Sequence, residues 1–379
     1  MSSLESAIAG DDASHAVPSQ GPGAAPTGSG SQGASAKPDE DITSLIEDHI
    51  IPKLDPEFLR YFAKHHVPAP QPNIPIEHVR ANPQAFRSPC ALDTSGYPGV
   101  TEDSFASTRD DNVRIPVRVY YPDEARHGPG PYPVHLNFHG GGFVLGDLDT
   151  EGALCLRMRE AGVVVVDVAY RLCPETVWGK CFQDAWDALN WVRDSSTTLY
   201  INPSSLSIGG ISAGAHISLV LQHLARDAGI PLKLCMASVT PATDALTYTY
   251  YTDSPFPSFH EFHRGPVLPW ARIKFFGQTC MPRDTLPSLR QQWPDWWFAP
   301  LRAANWTGLC DSFIRTAEAD PLRDEGEAYA MKLVAGGNRV TIKRYLGCPH
   351  TFMYLDCMSK KHEYDRDAVD ALRAAHGLI

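Results

Sequence analysis

The chain has 379 residues, 43% of them hydrophobic and 20% charged, enough for one large domain with a sizeable core. A net charge of −11 argues against the basic face of a nucleic-acid binder and offers nothing to an anionic membrane surface. No run of about 18 apolar residues is present, so no segment is expected to span a bilayer.

Residues 1–40 are mostly Ser, Gly, Ala and Pro with scattered acids. Such a segment cannot bury enough surface to offset its ordering entropy and reads as a disordered tail. Its first residues lack the basic and apolar regions of a secretory leader. The nine cysteines show no paired spacing and read as reduced thiols, so a cytoplasmic location is expected. Residues 41–379 read as a single domain. From Asp41 apolar residues recur at near-helical spacing, broken by Pro52 and Pro56, which predicts two short amphipathic helices lying on that domain.

Strand signals begin at Val113–Tyr121 and Val134–Phe138, with turn chemistry between them. Val163–Val168 has few polar positions, as expected of a strand with both faces covered by helices. A helix is predicted over Thr176–Arg193, a strand over Leu206–Ile211, a helix over Ala213–Asp227 and a strand over Leu232–Val239. Later come the strand Ser312–Thr316, a helix Asp324–Ala335, the strand Val340–Tyr345 and a helix from about Lys361 to Ala375. Strands alternating with helices imply a mostly parallel, doubly wound sheet. Residues 243–300 break the alternation with many aromatics and prolines, and read as an inserted cap.

Gly210-Ile211-Ser212-Ala213-Gly214 is a G-x-S-x-G sequence. Alone it is weak, since a Gly/Ser-rich turn that does no chemistry would look the same. Its context is a strand running in and a helix running out, the setting in which such a serine is presented as a nucleophile. His139-Gly140-Gly141-Gly142-Phe143, directly after a strand, is rarer. Consecutive glycines let backbone N–H groups turn inward to form an oxyanion hole together with the N–H of Ala213.

A serine nucleophile needs a base and the base an orienting carboxylate, in the chain order Ser, acid, His. His350 follows a strand on a loop at the sheet's carboxyl edge and is the favoured base. His216 and His223 read as packing or surface residues, and His362 and His376 as parts of the polar C-terminal helix. Asp320, before a proline at the end of a strand, is the favoured acid; Glu318 and Asp324 compete. His260 and His263 lack H-E-x-x-H spacing and a third ligand, and His65-His66 reads as surface, so no metal and no cofactor are expected.

The set HGGGF, VAYRLCPE (Val168–Glu175), DAWDALNWV (Asp184–Val192), GISAG and AEADPLRDEG resembles the hormone-sensitive-lipase-like branch of the α/β-hydrolases over roughly residues 110–355. The resemblance implies the α/β-hydrolase fold: a mostly parallel eight-stranded sheet with helices on both faces. It also implies a helical cap built from about 41–66 and the insert 243–300. It carries the nucleophile onto Ser212, the acid onto Asp320, the base onto His350 and the oxyanion donors onto Gly141, Gly142 and Ala213. His139 and Gly140 complete the motif. Two departures stand out: Ile211 replaces the family's usual acid before the serine, and Thr351 replaces the usual glycine after the histidine.

The activity implied is carboxylic-ester hydrolysis through an acyl-enzyme, on small to medium apolar or aromatic esters. A rival reading keeps the site but uses it for elimination, cyclisation or acyl transfer in specialised metabolism. A third is a non-catalytic small-molecule receptor. The expected partners are a small-molecule ester and a second copy of the chain in a homodimer.

Overall fold

A computed structural model describes residues 46–65, 75–86 and 88–378. The segment expected to be a disordered tail lies outside the described residues, as does His66. The sheet contains β1 (Val100–Ala106), β2 (Arg114–Tyr120), β3 (Tyr132–Phe138), β4 (Val164–Val168), β5 (Ile201–Ile211), β6 (Leu234–Ser238), β7 (Asp311–Ala319) and β8 (Val340–Pro349). Their spatial order is β1-β2-β4-β3-β5-β6-β7-β8. β2 is antiparallel to both its neighbours, and β4 through β8 pair in parallel. This is the α/β-hydrolase fold that the motifs imply.

The central strands are buried on both faces, and the alternation of side chains shows it. In β4, Val164, Val166 and Val168 enter one core, while Val163 just before the strand and Val165 enter the other. In chain order the main helices are α1 (Pro56–His65), α2 (Ile76–Ala81), α3 (Gly152–Met158), α4 (Lys180–Asp194), α5 (Ala213–Asp227) and α6 (Pro257–Glu261). They continue as α7 (Trp270–Cys280), α8 (Leu286–Gln292), α9 (Asp295–Phe298), α10 (Arg323–Ala335) and α11 (Ser359–His376). The first core takes the apolar faces of α4, α5 and α10, and the second those of α3 and α11.

Three elements escape the sequence reading, among them α2, which lies beyond the two predicted N-terminal helices. β1 carries mostly exposed polar residues at the sheet edge, so it shows little apolar alternation. α3 is seven residues long, too short for helical periodicity to stand out. α4 begins at Lys180 rather than Thr176, because Gly179 sits in the left-handed region (φ 104°) and starts the helix there.

The insert holds α6 to α9 and packs its aromatic rings into the first core, Trp293 stacking on Trp297 at 5.3 Å and Trp178 on Phe298 at 4.3 Å. Residues 46–65 lie against the second core instead, and meet the insert where Lys53 pairs with Glu261.

β5 and β3 lie side by side at the point where the winding reverses, one chain leaving toward β4 and the other toward β6. Crevices at such a switch point, beyond the strands' carboxyl ends, are where doubly wound sheets bind ligands. The end of β3 and the start of α5 can approach there because Gly214 has no side chain. A Cβ at that position would lie 1.7 Å from the Phe138 carbonyl oxygen, which is backbone and cannot swing aside. Gly214→Ala is therefore expected to cost more than about 3 kcal/mol. Gly229→Ala, at a left-handed residue (φ 69°) with open space around it, should cost only about 1 kcal/mol. Urea midpoints of the two variants measure the difference, and equal losses would contradict the close-approach argument.

Candidate active site

Ser212 occupies the sharp turn between β5 and α5 with φ 55° and ψ −116°, a conformation that L-residues rarely adopt. The turn is held from both sides: the Ser212 N–H donates to the Ser238 carbonyl at 2.9 Å, and its own carbonyl accepts from the His216 N–H at 3.0 Å. The side chain is thereby lifted above the sheet edge, partly exposed.

β7 and β8 deliver the other two groups. Ser212 Oγ donates to His350 Nε2 at 3.0 Å, and His350 Nδ1 donates to Asp320 Oδ2 at 2.8 Å. Asp320 is fully buried, and its second oxygen accepts the Leu322 N–H at 2.9 Å, so the carboxylate has fixed partners on both sides. The competing acids are occupied elsewhere. Glu318 accepts the Gly347 N–H at 2.7 Å, and Asp324 sits in the first turn of α10, accepting the Ser258 N–H at 2.8 Å. Thr351 has φ 54°, the left-handed region where the family's usual glycine would be at ease.

The other histidines have ordinary structural bonds. His216 is buried and donates to the Trp297 carbonyl at 2.6 Å; His223 bonds the Tyr329 hydroxyl at 2.9 Å. His260 and His263 bond the carbonyls of Ser254 and His260. Among the described residues no three His, Cys, Asp or Glu side chains are grouped to hold a metal.

The glycine loop runs over Ser212. Gly141 has φ 128° and Gly142 φ 63°; a Cβ on Gly141 would lie 2.0 Å from the Leu145 carbonyl oxygen, and one on Gly142 2.4 Å from the Phe276 ring. No acceptor among the described residues takes the N–H of Gly141, Gly142 or Ala213. His139 is not a ligand for substrate. It is buried, its Nδ1 donates to the Gly140 carbonyl at 2.8 Å, its ring stacks on Tyr170 at 4.4 Å, and burial lowers its pKa, keeping it neutral.

Behind the loop stands a residue that the sequence reading did not single out. Glu151 Oε1 accepts the Gly140 N–H at 2.8 Å and the Tyr354 hydroxyl, and Oε2 accepts from Asn137 Nδ2 at 3.0 Å. One buried carboxyl thus ties the glycine loop to the turn after His350. The only sequence signal was an acid eleven residues after Gly140, which carries no motif. Desolvation pushes the Glu151 pKa up to about 7, and Asp167, fully buried nearby, is raised for the same reason.

Ser212 opens on two hollows. A cavity of about 320 Å³ is lined by Gly140 to Gly142, His350, Tyr354, Val79, Arg272 and Phe276, among others. A narrow hollow of about 40 Å³ lies between Phe143, Trp178, His216, Met281 and Phe298. Residues of α2 line the larger cavity, although the expected cap stopped at residue 66.

Strands feeding a serine, a histidine and an aspartate in series to one sheet edge define a serine hydrolase of the α/β-hydrolase class. A family model described as alpha/beta hydrolase fold matches residues 135–354. An AB hydrolase superfamily protein of Schizosaccharomyces pombe is 32% identical over 87% of this chain and 96% of its own. Carboxylesterase NlhH of Mycobacterium tuberculosis is 36% identical over 70% of this chain and 79% of its own. Among solved structures, a bacterial heroin esterase superposes with a TM-score of 0.72 at 28% identity, covering 86% of this chain and 98% of that one. An esterase of Pyrobaculum calidifontis superposes at 0.72 and 26% identity, covering 85% and 98%. The chain belongs to the α/β-hydrolase family, in its hormone-sensitive-lipase-like esterase branch.

The Glu151 carboxyl yields a pH prediction. Its folded pKa, about 7, lies above its ordinary 4.5, so the fold holds this proton more tightly than the unfolded chain does. Its contribution to stability is full below about pH 4.5 and is lost as pH rises through 7, a difference of about 3 kcal/mol. Urea unfolding of wild type and Glu151→Gln from pH 4.5 to 8 should show wild type losing more as pH rises; parallel curves would refute it.

Proposed function

We propose that Ser212, His350 and Asp320 are the catalytic triad of a carboxylic ester hydrolase that works through an acyl-enzyme. The observation that carries the proposal is the unbroken chain of hydrogen bonds from Ser212 Oγ through both nitrogens of His350 to Asp320. Ser212 attacks the ester carbonyl as His350 Nε2 takes its proton. Asp320 keeps Nδ1 protonated, so that Nε2 is free to accept, and stabilises the imidazolium that forms. The tetrahedral oxyanion is met by the N–H groups of Gly141, Gly142 and Ala213, each such donor being worth roughly 3–4 kcal/mol in the transition state. His350 then returns the proton to the leaving alkoxide, and water attacks the acyl-enzyme with His350 again as base.

The two hollows suit a carbonyl held at Ser212 with a small apolar arm on one side and a larger arm on the other. Carboxylesterase relatives support hydrolysis over elimination or cyclisation, and a base in contact with the serine argues against a receptor role. A cytoplasmic location accords with nine free cysteines. A homodimer accords with Ile342 and Leu346 exposed on β8, the edge strand.

Ser212→Ala and His350→Ala should each lower kcat on a short-chain para-nitrophenyl ester by on the order of 10⁶, and the double variant by little more. Asp320→Asn should cost on the order of 10⁴ through the wrong imidazole tautomer. A fluorophosphonate probe should label wild type at Ser212 alone. Unchanged turnover in Ser212→Ala would end the proposal.

A further inference from the structure

Three charged side chains line the larger cavity, and two of them are satisfied. Arg80 forms a two-pronged pair with Glu175 and donates to the Cys173 carbonyl at 2.8 Å. Asp147 is exposed and accepts from Thr150 Oγ1 at 3.1 Å and the Asp149 N–H at 3.0 Å. Arg272 is different. Its Nη1 donates to the Val267 carbonyl at 2.8 Å, but its buried Nε has no partner, and no carboxylate pairs with it among the described residues.

An unpaired guanidinium in such a place is unfavourable twice over. Burial alone acts on it, pulling its pKa down to about 10, so it stays charged at neutral pH without a counter-ion. It also stands in the first turn of α7, where the positive end of the helix dipole repels a cation. The carbonyl that holds it belongs to Val267, a β-branched residue in the left-handed region (φ 68°). Both positive features face a site with room for an anion. Arg272 lies one turn, about 6 Å, from Phe276 along α7. The Phe276 ring covers Gly142, so both residues belong to the helix face turned toward the glycine loop.

We propose that Arg272 binds a carboxylate carried by the substrate, so that the preferred esters are those with a free acid group on one arm. The proposal rests on the esterase reading of Ser212 and narrows its substrate class. It involves no further chemical step: the guanidinium orients the ester by a charge-assisted hydrogen bond while the scissile carbonyl sits at Ser212.

The test uses two matched pairs of esters. Mono-para-nitrophenyl adipate and its methyl ester place the acid, or its neutral counterpart, on the acyl arm. The acetyl ester of para-hydroxybenzoate and its methyl ester place it on the leaving group. For at least one pair, wild type should favour the acid in kcat/KM, and Arg272→Gln should lower the acid-to-neutral ratio by on the order of tenfold, chiefly through KM. Arg272→Lys should fall between. Ratios within about threefold of wild type in both pairs would overturn the proposal, as would equal loss on acid and neutral esters, which would mark Arg272 as an oxyanion or packing residue. Should the variant not fold, added salt serves on wild type: KM for the acid ester should rise with ionic strength more than KM for its neutral partner, and equal responses overturn the proposal. Ser212→Ala separates the two readings. Residual hydrolysis in that variant defeats the esterase reading, whereas an inactive variant alongside a wild type blind to the acid group defeats only the role of Arg272.

Discussion

Everything in the site depends on how closely two backbones approach at the centre of the sheet. The Phe138 carbonyl at the end of β3 presses on Gly214 at the start of α5, and no side chain fits between them. That contact forces the chain through the left-handed turn at Ser212 and brings the glycine loop over the hydroxyl. A looser junction would leave Ser212 and the glycine loop as separate features of neighbouring turns. The conformational strain at Ser212, of order 1–3 kcal/mol, is sustained because the strands on either side are buried on both faces.

Behind this junction the protein places ionisable carboxyls where water is absent. Glu151 and Asp167 are both bonded to Asn137, and Glu151 also holds Gly140 and Tyr354. Burying such groups costs free energy that hydrophobic residues would not, yet no hydrophobic residue could accept the Gly140 N–H and the Tyr354 hydroxyl together. The arrangement fixes the glycine loop relative to the turn after His350. It is a polar scaffold under the site, while the aromatic insert forms the walls above it.

Much of this was legible from residues alone. The sequence put Ser212, His350 and Asp320 forward because a nucleophile, base and acid must follow particular strands in a particular order, and the fold brings the three into one hydrogen-bonded series. The same logic excluded His216, whose place inside α5 turns it into the core. What stayed hidden has a common cause. β1 is an exposed edge strand, Glu151 is a lone acid without a motif, and α2 lies in a stretch without long periodicity. Each is defined by what it meets across the fold, not by its neighbours in the chain. Arg272 is the clearest case: in sequence it is one more arginine on a cap helix, and only the lack of a counter-charge around it sets it apart.

The hydrogen bond between Ser212 and His350 joins residues 138 apart in sequence. The base is carried on β8, an edge strand that pairs only with β7. Contacts of such long range are slow to form, because the intervening chain must be ordered before they can be rewarded. In the proposed mechanism, a chain that has built β3, β5 and the turn at Ser212 but not β8 would hold its serine without the base. On that reading turnover would report that the far edge of the sheet is in place, joining the two halves of the chain in one readout.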